Sequence, residues 1–357
     1  MKPQQRLSSL DALRGLVLFL LVFLQPALWS LLTRLGTPAA TALLYHFDHE
    51  VWEGFRFWDL IMPLFLFMSG TSMPFSFAKF LRGDAPKSEA YRKVGRRFVI
   101  LFLLGMVVQG NLLGLDFSAI YIYTNTLQAI AVGYAIAAFL MLHFSWRGWL
   151  AGTAVLLLGY AIPMTLCGDF TLEGNLASRI DACVLGRFQG DPTYAWLLPS
   201  LTFGVTVMLG ATAGQLIRSG RERPARTCLT LAIVGVGLAG AGWAWGFQMP
   251  IVKRIWTCSM TFLSGGYCFL LLAAFYGWMD VLGHRRGLEW LKIYGMNSIV
   301  AYMLGEVVNF RSAVESVSYG VAPWLSDYYG VWLTLGNFSV IFLILYAMYH
   351  CRYFIKI

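Results

Sequence analysis

The chain has 357 residues, 58% hydrophobic, 16% aromatic and only 13% charged, against roughly 25% charged in an ordinary soluble domain. That balance excludes a soluble globular protein and points to a membrane protein. The net charge of +9 needs no nucleic-acid partner, because its distribution along the chain accounts for it as membrane anchoring.

Apolar stretches of about 20 residues, the length that crosses a hydrocarbon core of ~30 Å, fall near residues 12–33, 57–79, 97–114, 121–142, 147–166, 197–217, 227–247, 258–281, 292–311 and 328–351. Lipid gives backbone N–H and C=O groups no other partner, so each is read as a helix, and the alternating pattern of barrel strands is absent. The expected fold is an all-α polytopic bundle of about ten transmembrane helices, a single domain over 1–357. Twenty of the 27 Lys and Arg fall on one side of these spans and seven on the other. By the positive-inside rule both termini are therefore expected to be cytoplasmic. The first apolar run continues past signal-peptide length with no A-x-A-like site, so it is expected to stay as a span.

In chain order, "RLSSLDALRGL" opens the first span. Ser8 with Asp11 reads as a capping box and Asp11 with Arg14 as an i,i+3 pair. Arg14 heads an apolar run, so its guanidinium must snorkel out or meet an anion.

"YHFDHEVWEGFRFWDLIMPLFLFMSG", residues 45–70, is polar in front and built for lipid behind. Asp59 lies just inside the second span, where a carboxylate needs an ion-pair partner or a task. His49 stands at the external mouth of that span, with His46, Asp48, Glu50 and Glu53 around it. Imidazole titrates near neutrality and accepts a proton from an attacking amine or hydroxyl, which is the general-base task. Zinc competes through His46, His49, Glu50 and Glu53, yet there is no H-E-x-x-H, and that many ligands within eight residues would strain one helical turn. No metal is expected. Trp52 and Trp58 are the two aromatics singled out as acceptor-site candidates, the rest being read as interfacial belts and packing.

"YRKVGRRFVI" places Arg96 and Arg97 at the start of the third span, as inside anchors or as a phosphate clamp. Gln128, Asn297 and Glu306 are polar groups within spans, read either as helix-to-helix hydrogen bonding or as pocket lining. Residues 167–196 form the longest external loop, expected as an ordered cap; its Cys167 and Cys183 could pair, although six scattered cysteines with no C-x-x-C indicate neither a zinc ribbon nor a disulfide scaffold. None of the soluble phosphate or acyl-transfer signatures appears, neither a P-loop nor G-x-S-x-G nor G-x-G-x-x-G.

With these residues quoted, the chain resembles the multipass N-acetyltransferases related to heparan-alpha-glucosaminide N-acetyltransferase, in their compact bacterial form. "RLSSLDALRGL" is similar to the family's opening, and "HEVWEGFRFWDLIMPLFLFMSGTS" follows its H-x-x-W-x-G-x4-D-L pattern without a gap. Further matches are "TLQAIAVGYAI", "DPTYAWLLPSLTFGVTVMLGATAGQLI", "KRIWTCSMTFLSGGYCFLLLAAFYGWMDV" and "GMNSIVAYMLGEV", the H-x-x-W-x-G-x4-D-L stretch being the specific one. The resemblance implies transfer of an acetyl group from cytosolic acetyl-CoA to the amine of glucosamine or a glucosamine-containing saccharide across a bacterial inner membrane. It puts the catalytic histidine at His49 and sets Asp59, Gln128, Asn297 and Glu306 at motif positions. Gln25, followed by Pro26, stands where the family commonly has asparagine.

The resulting assignments are His49 and Asp59 as catalytic, and Arg14, Arg96, Arg97, Gln128 and Asn297 for acetyl-CoA. Trp52, Trp58, Glu50 and Glu306 are assigned to the amino-sugar acceptor. Direct transfer and an acetyl-histidine intermediate both remain open, as does a hydroxyl acceptor. The rival class is a proton-coupled permease for a sugar or cell-wall fragment using Asp59 and Glu306, although no inverted repeat with paired broken helices is seen. The sequence leaves room for a homodimer.

Overall fold

The computed structural model describes residues 7–284 and 286–355. Lys2, Arg6, Arg285 and Lys356 of the charge distribution lie outside them. Among the described residues the chain is helical, with two isolated β-bridges, Glu53 with Val252 and Asp169 with Asn175, and no strand.

Among the described residues, seven helical segments are long and apolar enough to cross a membrane: Ser8–Leu35, Thr126–His143, Trp146–Cys167, Ser200–Ser219, Pro224–Trp245, Cys258–Val281 and Arg311–His350. The three other stretches expected to span are helical but interrupted or polar. Residues 57–79 form a tight turn Phe57–Leu60, the helix Ile61–Thr71 and two single turns, Met73–Ser76 and Ala78–Leu81. Pro74, with no N–H to donate, marks that break. Residues 97–114 begin inside the helix Lys87–Val108, whose first half carries Glu89, Arg92 and Lys93. Residues 292–311 divide at Asn297 (φ −117, ψ 44) into Leu291–Met296 and Ser298–Val307.

The chain packs as two compact units. The first takes residues up to His49, Arg56–Ile61 and those from Phe275 onward; the second takes Glu50–Phe55 and Met62–Ala274.

In the first unit, the helix of the opening motif runs Ser8–Phe19, widens into a π-turn at Leu20–Leu24 and resumes at Gln25–Leu35. Pro26 explains the wide turn, because it has no N–H to give the carbonyl four residues earlier. The capping box expected at Ser8 does not form: Leu7 is the N-cap, and Asp280 instead accepts from the Ser9 N–H at 3.2 Å. The Asp11–Arg14 pair is present at 3.9 Å. Gly15 and Gly295 let the first helix and Leu291–Met296 touch along their backbones. A Cβ on either glycine would overlap a carbonyl of the other segment, that of Leu291 or of Asp11. Small residues at such crossings replace the hydrophobic drive that lipid cannot supply.

After Gly36, a helix Pro38–His46 forms that the apolar-run reading missed. Its signal is Thr37, whose hydroxyl accepts from the Ala40 N–H at 3.2 Å, followed by Pro at the first helical position.

In the second unit, Ser200–Ser219 packs against Thr126–His143 and Trp146–Cys167. Its Gly210 and Gly214 meet the carbonyls of Phe67 and Thr71. The external loop is ordered around the helix Leu176–Leu185, capped by Asn175. Asp181 is fully buried there and accepts from the Trp196 and Leu197 N–H groups at 2.7 and 3.0 Å. Burial pushes its carboxyl up to about 6, and the two backbone donors only partly oppose that. Cys167 and Cys183 are both free and exposed, so the candidate bridge is absent.

Candidate active site

The front half of the 45–70 segment builds a carboxylate–imidazole pair within the first unit. Asp59 sits on the tight turn Phe57–Leu60 and is fully buried. Its Oδ1 lies 2.8 Å from His49 Nδ1, and its Oδ2 accepts from the Arg56 N–H at 3.0 Å. The imidazole side chain is 36% exposed. An ionised carboxylate has no hydrogen to give, so Nδ1 carries the hydrogen and Nε2 keeps the lone pair. That division, one nitrogen anchored on the carboxylate and the other the basic one, is the arrangement a general base requires.

The loop holding His49 is itself held. The carbonyl of Phe47 accepts from Gln25 Nε2 at 3.3 Å and from the Trp29 indole at 3.4 Å. The Phe47 ring packs on Phe57 and Trp58 at 5.6 and 5.8 Å. Asp48 accepts from the His49 N–H at 2.7 Å, and Arg56 reaches both Asp48 (3.8 Å) and the face of Tyr45 (3.8 Å). Gln25 therefore acts on the histidine through backbone, which the sequence signalled only as a departure from the family's asparagine.

This geometry accompanies a family match. A family model described as heparan-alpha-glucosaminide N-acetyltransferase, catalytic, covers residues 6–242. The chain belongs to that family. Over 366 residues it is 25% identical to heparan-alpha-glucosaminide N-acetyltransferase of Homo sapiens, covering 85% of this chain and 53% of that protein. The protein of the same name from Mus musculus is 24% identical over 367 residues, covering 85% and 54%. The chain thus spans about half the length of the curated relatives it matches. As a member of this N-acetyltransferase family with several membrane-length apolar helices, it is a multipass membrane protein.

The other expected site residues of this family member are placed as follows. Trp58, in the first unit, is 3% exposed and serves the packing under Phe47. Glu50 and Trp52 belong to the second unit. There the Trp52 indole donates to the Phe170 carbonyl at 2.8 Å and its ring packs against an apolar cluster containing Tyr160 and Val252. Gln128 is fully buried, and its amide is wholly committed. Oε1 accepts from the Thr124 and Asn125 N–H groups at 2.8 and 3.0 Å, while Nε2 donates to the Ile122 and Phe102 carbonyls at 2.5 and 3.3 Å. It caps the Thr126–His143 helix and leaves no donor for a ligand. Asn297 likewise pins the C-terminal tail, donating to Tyr353 O at 3.0 Å and accepting from the Ile355 N–H at 3.1 Å.

Arg14, in the first unit, is a largely buried side chain near Asp11. Arg96, in the second unit, is exposed. Arg97 sets its guanidinium 4.2 Å from the Tyr134 ring centre with its Nε buried and unbonded, so it has donors to offer a phosphate. Glu306, in the first unit, faces a cavity of about 510 Å³ that also includes Pro26, Trp29 and Arg311. Among the described residues no group of three or more His, Cys, Asp and Glu side chains is placed to hold a metal.

Proposed function

We propose that the protein is a transmembrane N-acetyltransferase that moves an acetyl group from cytosolic acetyl-CoA to the amine of glucosamine or a glucosamine-containing saccharide on the periplasmic side of a bacterial inner membrane. The observation that carries the reading is the His49–Asp59 pair, 2.8 Å apart with the carboxylate buried and the imidazole reachable. Family membership and the uninterrupted H-x-x-W-x-G-x4-D-L stretch support it.

The chemistry follows from the pair. The acceptor amine attacks the thioester carbonyl, the new C–N bond forms, and the C–S bond breaks to release CoA. His49 Nε2 takes the amine proton and returns it to the departing thiolate, while Asp59 balances the transient imidazolium. If His49 is instead the nucleophile, the same Nε2 carries the acetyl group, and a trapped acetyl-enzyme with ping-pong kinetics would reveal it.

About ten spans with both termini cytoplasmic complete the proposal. This topology sets Arg14, Arg96 and Arg97 on the side of the donor nucleotide and His49 on the side of the acceptor. A pantetheine arm would then reach through part of a core ~30 Å thick.

The test is release of free CoA thiol from acetyl-CoA by detergent-purified protein, with and without glucosamine, for wild type and His49→Ala. Glucosamine-stimulated release that disappears in a folded variant is expected. No release with any amino sugar, together with no binding of acetyl-CoA, would overturn the reading.

A further inference from the structure

A cavity within the first unit carries a group that the proposed chemistry does not use. Glu306, near the end of the Ser298–Val307 helix, is exposed to it and makes no hydrogen bond or ion pair among the described residues. Arg311 lines the same cavity but forms no ion pair with Glu306, directing Nη1 to the Thr334 hydroxyl at 3.3 Å. Trp29, Pro26 and Phe338 line the same cavity. The same Trp29 donates its indole N–H to Phe47 O, two residues before His49. One side chain therefore borders the cavity and fixes the loop of the catalytic pair.

An unpartnered carboxylate beside an indole and other apolar groups is complementary to an ammonium ion. The carboxylate supplies the opposite charge, and an indole ring attracts a cation through its π electrons. At 510 Å³ the cavity lies within the ~300–1,000 Å³ of small-molecule sites.

We propose that this cavity binds a second amino sugar of the acceptor through its ammonium group, so that the preferred acceptor is an oligosaccharide of at least two glucosamine units, with one amine at His49 and the next at Glu306. This deepens the acetyltransferase reading and rests on it for the placement of the first amine.

Two disaccharide probes decide the matter: glucosaminyl-glucosamine, and the same disaccharide N-acetylated on its reducing unit. Wild type is expected to show a KM at least tenfold lower for the diamine. Glu306→Gln should bring the two KM values within twofold of each other, chiefly by raising that for the diamine. Equal KM values in wild type, or a Glu306→Gln effect of the same size on both probes, would overturn the inference. Calorimetric titration of each disaccharide into donor-free protein separates this failure from that of the parent reading. Tight, Glu306-dependent binding of the diamine without any turnover would keep the cavity assignment and remove the acetyltransferase. No preference for the diamine in binding would remove the cavity assignment whatever the turnover.

Discussion

Asp59 Oδ1 lies 2.8 Å from His49 Nδ1, and the acid is fully buried while the base is about one-third exposed. The carboxylate thus orients the ring and stabilises its charged form without competing for the proton that Nε2 is to take. Replacing Asp59 by Asn puts an amide opposite Nδ1 and permits the wrong tautomer. Asp59→Asn should therefore lower kcat by about 10²–10⁴-fold with little change in KM for acetyl-CoA. A fall confined to KM, measured by initial rates of CoA release, would contradict the orienting role.

Gln128 gives the opposite expectation. Its four hydrogen bonds are all internal, so Gln128→Ala should cost about 1–3 kcal/mol of stability. Acetyl-CoA affinity, measured by calorimetry on the folded fraction, should stay within twofold of wild type. A selective loss of donor binding would return Gln128 to the donor site.

These two residues mark the limit of what the sequence discloses. Residue type and family pattern singled out Asp59 and Gln128 alike, because both are polar groups in or near apolar spans. What separates them is partnership: one faces a reachable imidazole and the other closes a helix cap. The apolar-run reading meets a membrane-length apolar helical segment at seven of its ten expected spans among the described residues. It failed at Pro38–His46, a short helix specified by capping chemistry, and at Asn297, where a polar side chain divides one apolar run into two. Ser8 shows the converse error, since its sequence suits a capping box while Asp280, distant in sequence, takes the N-terminal amide instead.

Asp181 supplies a pH test. Its carboxyl is raised by burial from 3.8 to about 6, so folding favours the protonated form. The contribution is fully present below about pH 4 and is lost as pH rises through about 6, reaching ~3 kcal/mol by neutrality. Amide exchange at Trp196 and Leu197, corrected for intrinsic rate, should show protection falling over that window in wild type. In Asp181→Asn the fall should vanish. An unchanged profile in the variant would assign the titration elsewhere.

Two glycines separate crowding from helix propensity. A Cβ on Gly15 overlaps the Leu291 carbonyl, whereas one on Gly237 meets nothing within 4 Å. Gly15→Ala should lower stability by about 1–3 kcal/mol through forced separation of the two backbones. Gly237→Ala should raise it by up to about 1 kcal/mol, because alanine is the better helix former. Thermal melts of the purified variants in one detergent should move in opposite directions; a common direction would mean that the Gly15 crossing is looser than drawn.

The exposed cysteines report both pairing and sidedness. Cys167, which ends Trp146–Cys167, and Cys183, within Leu176–Leu185, are free and exposed, and Cys351 is exposed just beyond Tyr329–His350. With both termini cytoplasmic, a membrane-impermeant maleimide applied to intact cells or right-side-out spheroplasts should label Cys167 and Cys183 but reach Cys351 only after lysis. Labelling of the first two should need no reductant, since no bridge holds them. If Cys351 is labelled in intact spheroplasts while the loop pair is protected, the orientation is reversed, and a cytosolic donor could no longer lie on the side of the membrane opposite His49.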